Sequence, residues 1–132
     1  MHVLFVAQYG LLAASSRTRV FDYLPLLRQS GVVADVVVVA PDKWVRRLNA
    51  GGVVNRLLYY WVAWFRTWCV GIRCLWSVTC YDALFIQKVI FPSPISKLLR
   101  RYRHKILFDF DDAIFTVETV GTSWLSRIRH RR

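Results

Sequence analysis

Three features of the sequence predict an α/β fold, a half of a doubly wound, mainly parallel sheet running β-α-β-α-β-α-β, with one long aromatic, basic helix. Four short apolar runs, HVLFVA (2–7), ADVVVVA (34–40), DALFIQ (82–87) and KILFDF (105–110), are continuous rather than alternating. That is the pattern of parallel strands buried on both faces. The segments between them carry helical spacing and helix punctuation. The length, 132 residues, is one domain's worth of chain, enough to bury a core but little more.

The first crossover, SSRTRVFDYLPLLRQSG, reads as a helix with Ser15 or Ser16 as N-cap, Val20, Leu24 and Leu27 on the buried stripe, and Gly31 as the stop. Pro25 departs from this pattern and should kink or rearrange it. The third crossover, PSPISKLLRRYRH (92–104), has Pro94 near a first helical position and a basic last turn that suits the helix dipole. After Ala113 a Thr/Gly-containing loop leads into SWLSRIRHRR, the beginning of another basic helix. A doubly wound domain usually needs more than four strands, so a truncated chain is expected. With right-handed crossovers the sheet is Rossmann-like, and its ligands bind beyond the carboxyl ends of the strands. Those ends are AQYG, VAPD, IQKV and DFDD.

The chain is 55% hydrophobic and 15% aromatic, which excludes disorder. A net charge of +11 calls for an anionic partner: nucleic acid, an anionic bilayer or a phosphorylated substrate. Nucleic acid is disfavoured, because the basic residues form no reading motif and the aromatics cluster with aliphatics rather than being spaced for stacking. MHVLFVAQYG lacks the basic and apolar regions of a secretory signal, so the expected compartment is the cytoplasm. Cys69, Cys74 and Cys80 match no zinc spacing, and no metal site is expected. His2, His104 and His130 fit no triad and read as solvated side chains.

The stretch VVNRLLYYWVAWFRTWCVGIRCLWSVTCY (53–81) is apolar enough to suggest a membrane span. Arg56, Arg66 and Arg73 interrupt it, leaving no uncharged run near the roughly 18 to 20 residues that a span requires. No transmembrane span is expected. At about 100° per residue a single helix gathers Arg66 and Arg73 within about 20° of each other and Arg56 within about 80° to 100° of both. The polar sector then faces a broad surface that includes Tyr60, Trp61, Trp64 and Trp68. Residues 43–80 are therefore expected to be an amphipathic membrane-interface insertion, with those four aromatics and the three arginines at the headgroups of an anionic membrane surface. Arg46, Arg47 and the C-terminal arginines add to the attraction, each by about 1 kcal/mol near the surface. The competing reading is a long crossover helix whose aromatic face packs on the sheet or on another domain.

The segments FVAQYG, SSRTRVFDYLPLLRQSGV, YDALFIQKVIFP and KILFDFDDAIF together resemble the N-terminal half-domain of GT-B glycosyltransferases of the family 4 type. The resemblance is most specific at Ser16, Arg17 and Arg19, at Tyr23-Leu24-Pro25 and at the Asp-Phe-Asp-Asp run, and is weak over 43–80. Members of that family have two Rossmann-like domains, the N-terminal one holding mainly the acceptor and the C-terminal one mainly the nucleotide-sugar, with a Glu-x7-Glu type motif. The resemblance implies that residues 1–132 are a partial N-terminal domain without the C-terminal nucleotide-sugar-binding domain. The implied reaction is hexosyl transfer from a nucleotide-sugar to a membrane-associated or glycan acceptor, the latter free or lipid-linked, peripheral on the inner face of the membrane, with the fragment inactive alone. No cofactor is implied beyond the nucleotide-sugar donor substrate. The alternative is a non-enzymatic membrane-surface or partner-binding module.

The candidate substrate-binding residues are Arg17, Arg19, Gln87, Asp109 and Asp111. Arg17 and Arg19 read as lying in the first turn of their helix, against its dipole, so something should compensate them. Either they hold a phosphate or carboxylate, or one pairs with Asp22 or Asp109. Gln87 and Lys88 end the third strand, where an amide can hydrogen-bond a ligand. Strand alternation points Asp109 and Asp111 to one face and Asp112 to the other. An Asp-x-Asp of this kind resembles the nucleophile and acid pair of haloacid-dehalogenase-type phosphatases, but Asp112 and Ala113 stand where that family has a Gly-Thr turn. Metal binding by Asp-x-Asp is not a GT-B device. Sugar hydroxyl recognition, or a salt bridge to Arg17 or Arg19, is the preferred assignment.

Overall fold

A computed structural model describes residues 1–110, in which β1 (His2–Tyr9), β2 (Val33–Ala40), β3 (Ala83–Gln87) and β4 (Ile106–Asp109) form one sheet in the order β2-β1-β3-β4. Every pairing is parallel, with Val3 opposite Ala34 and Ala83, and Gln87 opposite Asp109. The helices are α1 (Ala14–Arg19), α2 (Leu24–Gln29), α3 (Asp42–Asn49), α4 (Val53–Ser77) and α5 (Ser93–Leu99). The fold is α/β, a half Rossmann-like parallel sheet with helices on both faces.

Strand alternation divides the core into two layers. Leu4, Val6, Leu84 and Ile86 pack under α4 and α5 with Val70, Cys74 and Ile95. Val3, Phe5, Ala7 and Ala83 point to the other face and meet Val20 and Leu24 of the first crossover. Burying that apolar area from both sides stabilises the central strands β1 and β3. Edge strand β4, expected to be buried on both faces, instead leaves Leu107 and Phe108 exposed, because no further strand or helix among the described residues covers them.

The first crossover is not one kinked helix. It is α1, a 3-10 turn over Phe21–Tyr23, and then α2, with Pro25 in the first turn of α2. Proline removes an N–H that a helix start leaves unbonded anyway, so a new start at Leu24 satisfies Pro25 better than a kink would. Val20, Leu24 and Leu27 still face the sheet, as their spacing predicts. Ser16 is not a cap: Ala13 holds the N-cap position and Ser16 lies within α1, buried. The third crossover runs from α5, with Pro94 in its first turn, into a 3-10 segment over Arg100–Lys105.

Residues 43–80 contain most of α3 and all of α4, which together carry the chain from β2 across to β3. The inner stripe of α4, Tyr59, Val70, Gly71 and Cys74, is core. Gly71 is where α4 and α5 approach most tightly, since a Cβ there would lie 2.7 Å from Ile95 Cδ1. Burial pushes the Cys74 thiol up to about 11, as expected for a thiol surrounded by apolar side chains.

Candidate functional site

β1 leads to β2 on one side while β3 lies on the other, so the strand order reverses between β1 and β3. In open α/β sheets ligands collect beyond the carboxyl ends of the strands at such a reversal. Here Ala7, Gln87 and Asp109 form one register row across β1, β3 and β4, all on the α1 face. Small Ala7 leaves room for α1, and Ser16 Oγ donates to Gln87 Oε1 at 3.0 Å. Beside it, Arg19 Nη1 donates to Asp109 Oδ1 at 2.7 Å and to the Phe110 carbonyl at 3.1 Å.

Of the two candidate arginines, Arg19 therefore takes the carboxylate. Arg17 is exposed and makes no ion pair among the described residues. Because α1 already starts at Ala14, both arginines fall in its last turn, where the helix dipole favours cations. Their expected place in the first turn is thus corrected. Asp111 and Asp112 lie outside the described residues, as do His130 and the SWLSRIRHRR segment.

Two polar atoms in this row have no hydrogen-bond partner among the described residues: Gln87 Nε2 and Asp109 Oδ2. Gln87 is 0% exposed, and a buried unpaired amide costs about 1–3 kcal/mol in lost hydration. The Asp109 side chain retains 21% of its exposure. It borders a cavity of about 420 Å³ lined also by Phe5, Arg19, Tyr23, Leu27 and Phe85. On the other face of β4 an apolar groove of about 480 Å³ runs past Val89, Phe91, Leu99 and Phe108, with Arg100 and Arg103 at its rim.

Nearby backbone geometry is tight at the carboxyl ends. Gly10 follows β1 with its Cα against the Asp42 carboxylate, where a Cβ would collide, and Asp42 Oδ1 accepts from Leu12 N at 3.3 Å. Lys88 adopts φ 59°, a left-handed conformation uncommon for a side-chain-bearing residue, while its N–H bonds the Asp109 carbonyl at 3.1 Å. Burial pushes the Tyr59 phenol up to about 12, with a hydrogen bond to Tyr9 adding to it. Among the described residues no group of three or more His, Cys, Asp or Glu is placed to hold a metal ion.

The amino ends of the strands hold a second polar cluster. Asp35 Oδ2 accepts from Tyr81 Oη at 2.8 Å and lies 3.0 Å from His2 Nε2, and Asp82 Oδ2 accepts from the His2 N–H at 2.7 Å. The Tyr81 and His2 hydrogen bonds hold the Asp35 carboxyl below its ordinary value. His104, at the other predicted strand start, is exposed.

Along α4 the expected interface residues separate. Tyr60, Trp61, Trp64 and Trp76 are exposed, Trp61 at 67% and Trp76 at 82%, and Trp61 stacks on Phe65 at 6.2 Å. Arg56 and Arg73 are also exposed. Arg66 turns inward instead, Nε donating to the Val39 carbonyl at 2.8 Å and Nη2 to that of Val38 at 2.9 Å. Trp68 packs against the core, its Nε1 buried. Arg66 stands on the inner side of the helix because the carboxyl end of β2 presents carbonyls that a guanidinium satisfies, and Trp68 because its ring packs against the apolar core. No helix among the described residues is long and apolar enough to cross a membrane.

Sequence reasoning missed Ser16 as a member of the site. Its signal was spacing: Ser16, Val20, Leu24 and Leu27 share one stripe, and a hydroxyl on an inward stripe needs a buried partner. Compared with protein-family models, with curated proteins and with solved structures, the chain gives no match in any of the three. What fold and site define is a class: a parallel α/β domain with a polar row at the reversal of its strand order.

Proposed function

We propose that the chain is the acceptor-side half of a nucleotide-sugar-dependent glycosyltransferase working at an anionic membrane surface, on the inner, cytoplasmic face. The observation that carries this reading is the row Ser16, Gln87, Arg19 and Asp109 at the carboxyl ends of β1, β3 and β4. A carboxylate and a guanidinium lining a cavity, with a buried amide beside them, suit a polyhydroxyl ligand, which needs donors and acceptors in close alternation. The nucleotide-sugar would be brought by a second α/β domain facing the same ends.

The outer face of α4 supports the membrane part. Val54, Leu57, Tyr60, Trp61, Trp64 and Phe65 are exposed side by side, without a charged residue among them, while Arg56 and Arg73 flank them. Aromatic side chains at headgroup depth with arginines beside anionic lipid make an interfacial helix.

Saturation-transfer NMR on the 132-residue chain, with UDP-glucose, GDP-mannose and methyl glycosides as probes, tests the acceptor assignment. Saturable signal from the glycosides and none from the nucleotide-sugars is expected. The reverse would overturn the acceptor-side reading, and sugar transfer at enzyme-like turnover by this chain alone would overturn the half-enzyme reading. Flotation with vesicles should show binding that rises with anionic lipid and weakens in Trp61→Ala/Trp64→Ala. Binding indifferent to lipid charge would remove the electrostatic part.

A further inference from the structure

Gln87 and Asp109 are direct register partners on adjacent parallel strands, so their side chains leave the same face of the sheet about 4.8 Å apart. Each has one polar atom engaged within the fold. Gln87 Oε1 accepts from Ser16 Oγ, and Asp109 Oδ1 accepts from Arg19 Nη1. The other atom of each, Gln87 Nε2 and Asp109 Oδ2, is buried and has no partner among the described residues. One is a donor, the other an acceptor, and they are neighbours.

We propose that Gln87 Nε2 and Asp109 Oδ2 together form a subsite for a single hydroxyl of a neutral polyhydroxyl ligand, which accepts a hydrogen bond from the amide and donates one to the carboxylate. This deepens the acceptor-cleft reading and rests on it. The chemistry selects among ligand groups. An ammonium would satisfy Asp109 but has no lone pair for the Gln87 amide. A phosphate or carboxylate would accept from Gln87 but would meet the Asp109 carboxylate as a like charge. Only a group that both donates and accepts completes the pair. The Arg19 guanidinium at 2.7 Å offsets the Asp109 charge, which suits a neutral sugar better than a second cation. Access comes from the Asp109 side, where the cavity lined by Phe5, Tyr23 and Phe85 offers apolar surface for the carbon face of a sugar ring.

The test follows the Gln87 side-chain amide of the ¹⁵N-labelled chain by NMR during titration with methyl α-glucopyranoside, methyl α-mannopyranoside and inorganic phosphate. The expected result is a saturable shift of that amide with at least one glycoside, at a dissociation constant on the order of a millimolar, and none with phosphate. Gln87→Met, which keeps the side-chain length and removes the amide, is expected to weaken that binding about tenfold or more, since it deletes the donor that the ligand hydroxyl would satisfy. The wild-type amide shift stands as a readout even if this variant fails to fold. Glycoside binding that leaves both the Gln87 amide and the Gln87→Met affinity unchanged would overturn the subsite while the acceptor-cleft reading survives. A Gln87 amide in contact with water alone, unmoved by any glycoside, would overturn the subsite as a buried-water position. Absence of glycoside binding anywhere on the chain would overturn both.

Discussion

The two ends of the sheet both carry polar clusters, and they differ in whether those clusters are complete. At the amino ends, Asp35 receives Tyr81 and lies against His2, and Asp82 holds the His2 N–H. That cluster is exposed, and its principal atoms have partners within the fold. At the carboxyl ends, Ser16, Gln87, Arg19 and Asp109 bury one donor and one acceptor that have no partner among the described residues. A complete exposed cluster stabilises strand ends and asks for nothing further. An incomplete buried one costs stability, and a fold tolerates that cost where a ligand offsets it.

The largest separation of the two ends is expected from single charge deletions. Arg19→Ala leaves the Asp109 carboxylate without its 2.7 Å partner in a half-buried position, and should destabilise by about 1–3 kcal/mol in urea titrations. His2→Ala at the exposed end should cost under about 1 kcal/mol. Equal losses would erase the distinction.

Next in size is the response to pH. The raised phenols of Tyr59 at the carboxyl end and Tyr81 at the amino end both lose stability as pH rises, and the lowered Asp35 carboxyl at the amino end loses it as pH falls. Tyr59, hydrogen-bonded to Tyr9 at the end of β1, has its phenol raised from 10.0 to about 12. A folded pKa above the unfolded one contributes stability that is complete below the unfolded value and lost as pH rises, here between about 10 and about 12. Cys74 behaves likewise from 9.0 to about 11. Asp35, held below its ordinary value, contributes stability present above the unfolded carboxylate pKa and lost as pH falls through the folded one. Thermal melts across pH should therefore show a clear alkaline decline, removed in part by Tyr59→Phe, and only a shallow acid contribution from Asp35.

The smallest stability effect is expected from Gln87→Met. It removes an unpaired buried amide but also the acceptor of Ser16, so the two changes should leave stability within about 1 kcal/mol of the parent. A loss of several kcal/mol would mean that the Ser16–Gln87 Oε1 bond contributes far more to the fold than the unpaired Nε2 costs it.

Much of this organisation was legible in the sequence, for physical reasons. The continuous Val/Ile/Leu/Phe runs mark β1 to β4 within one or two residues. In the central strands β1 and β3 they reflect burial on both faces, which tolerates no polar alternation, while edge strand β4 carries the same kind of run with Leu107 and Phe108 exposed. An Asp109 pairing with a nearby arginine was also readable, since a carboxylate at the end of an apolar run needs a cation. What was not legible depended on tertiary placement. Helical spacing set Arg66 beside Arg73 in one polar sector, yet the carbonyls of Val38 and Val39, distant in sequence, draw Arg66 inward. Pro25 announced a disturbance, but whether it kinks or restarts a helix depends on how Val20 and Leu24 both reach the sheet. The Ser16–Gln87 bond spans residues 71 apart and leaves no local mark beyond a hydroxyl on an apolar stripe.

The central claim is that the carboxyl ends, not the amino ends, receive the ligand. A backbone amide shift map of the ¹⁵N-labelled chain during titration with methyl α-mannopyranoside and methyl α-glucopyranoside tests it most directly. The predicted result is a set of saturable shifts confined to the neighbourhood of Ser16, Arg19, Gln87 and Asp109, with His2, Asp35 and Tyr81 unmoved. Shifts centred on the His2, Asp35 and Tyr81 cluster, or none at either end, would contradict it.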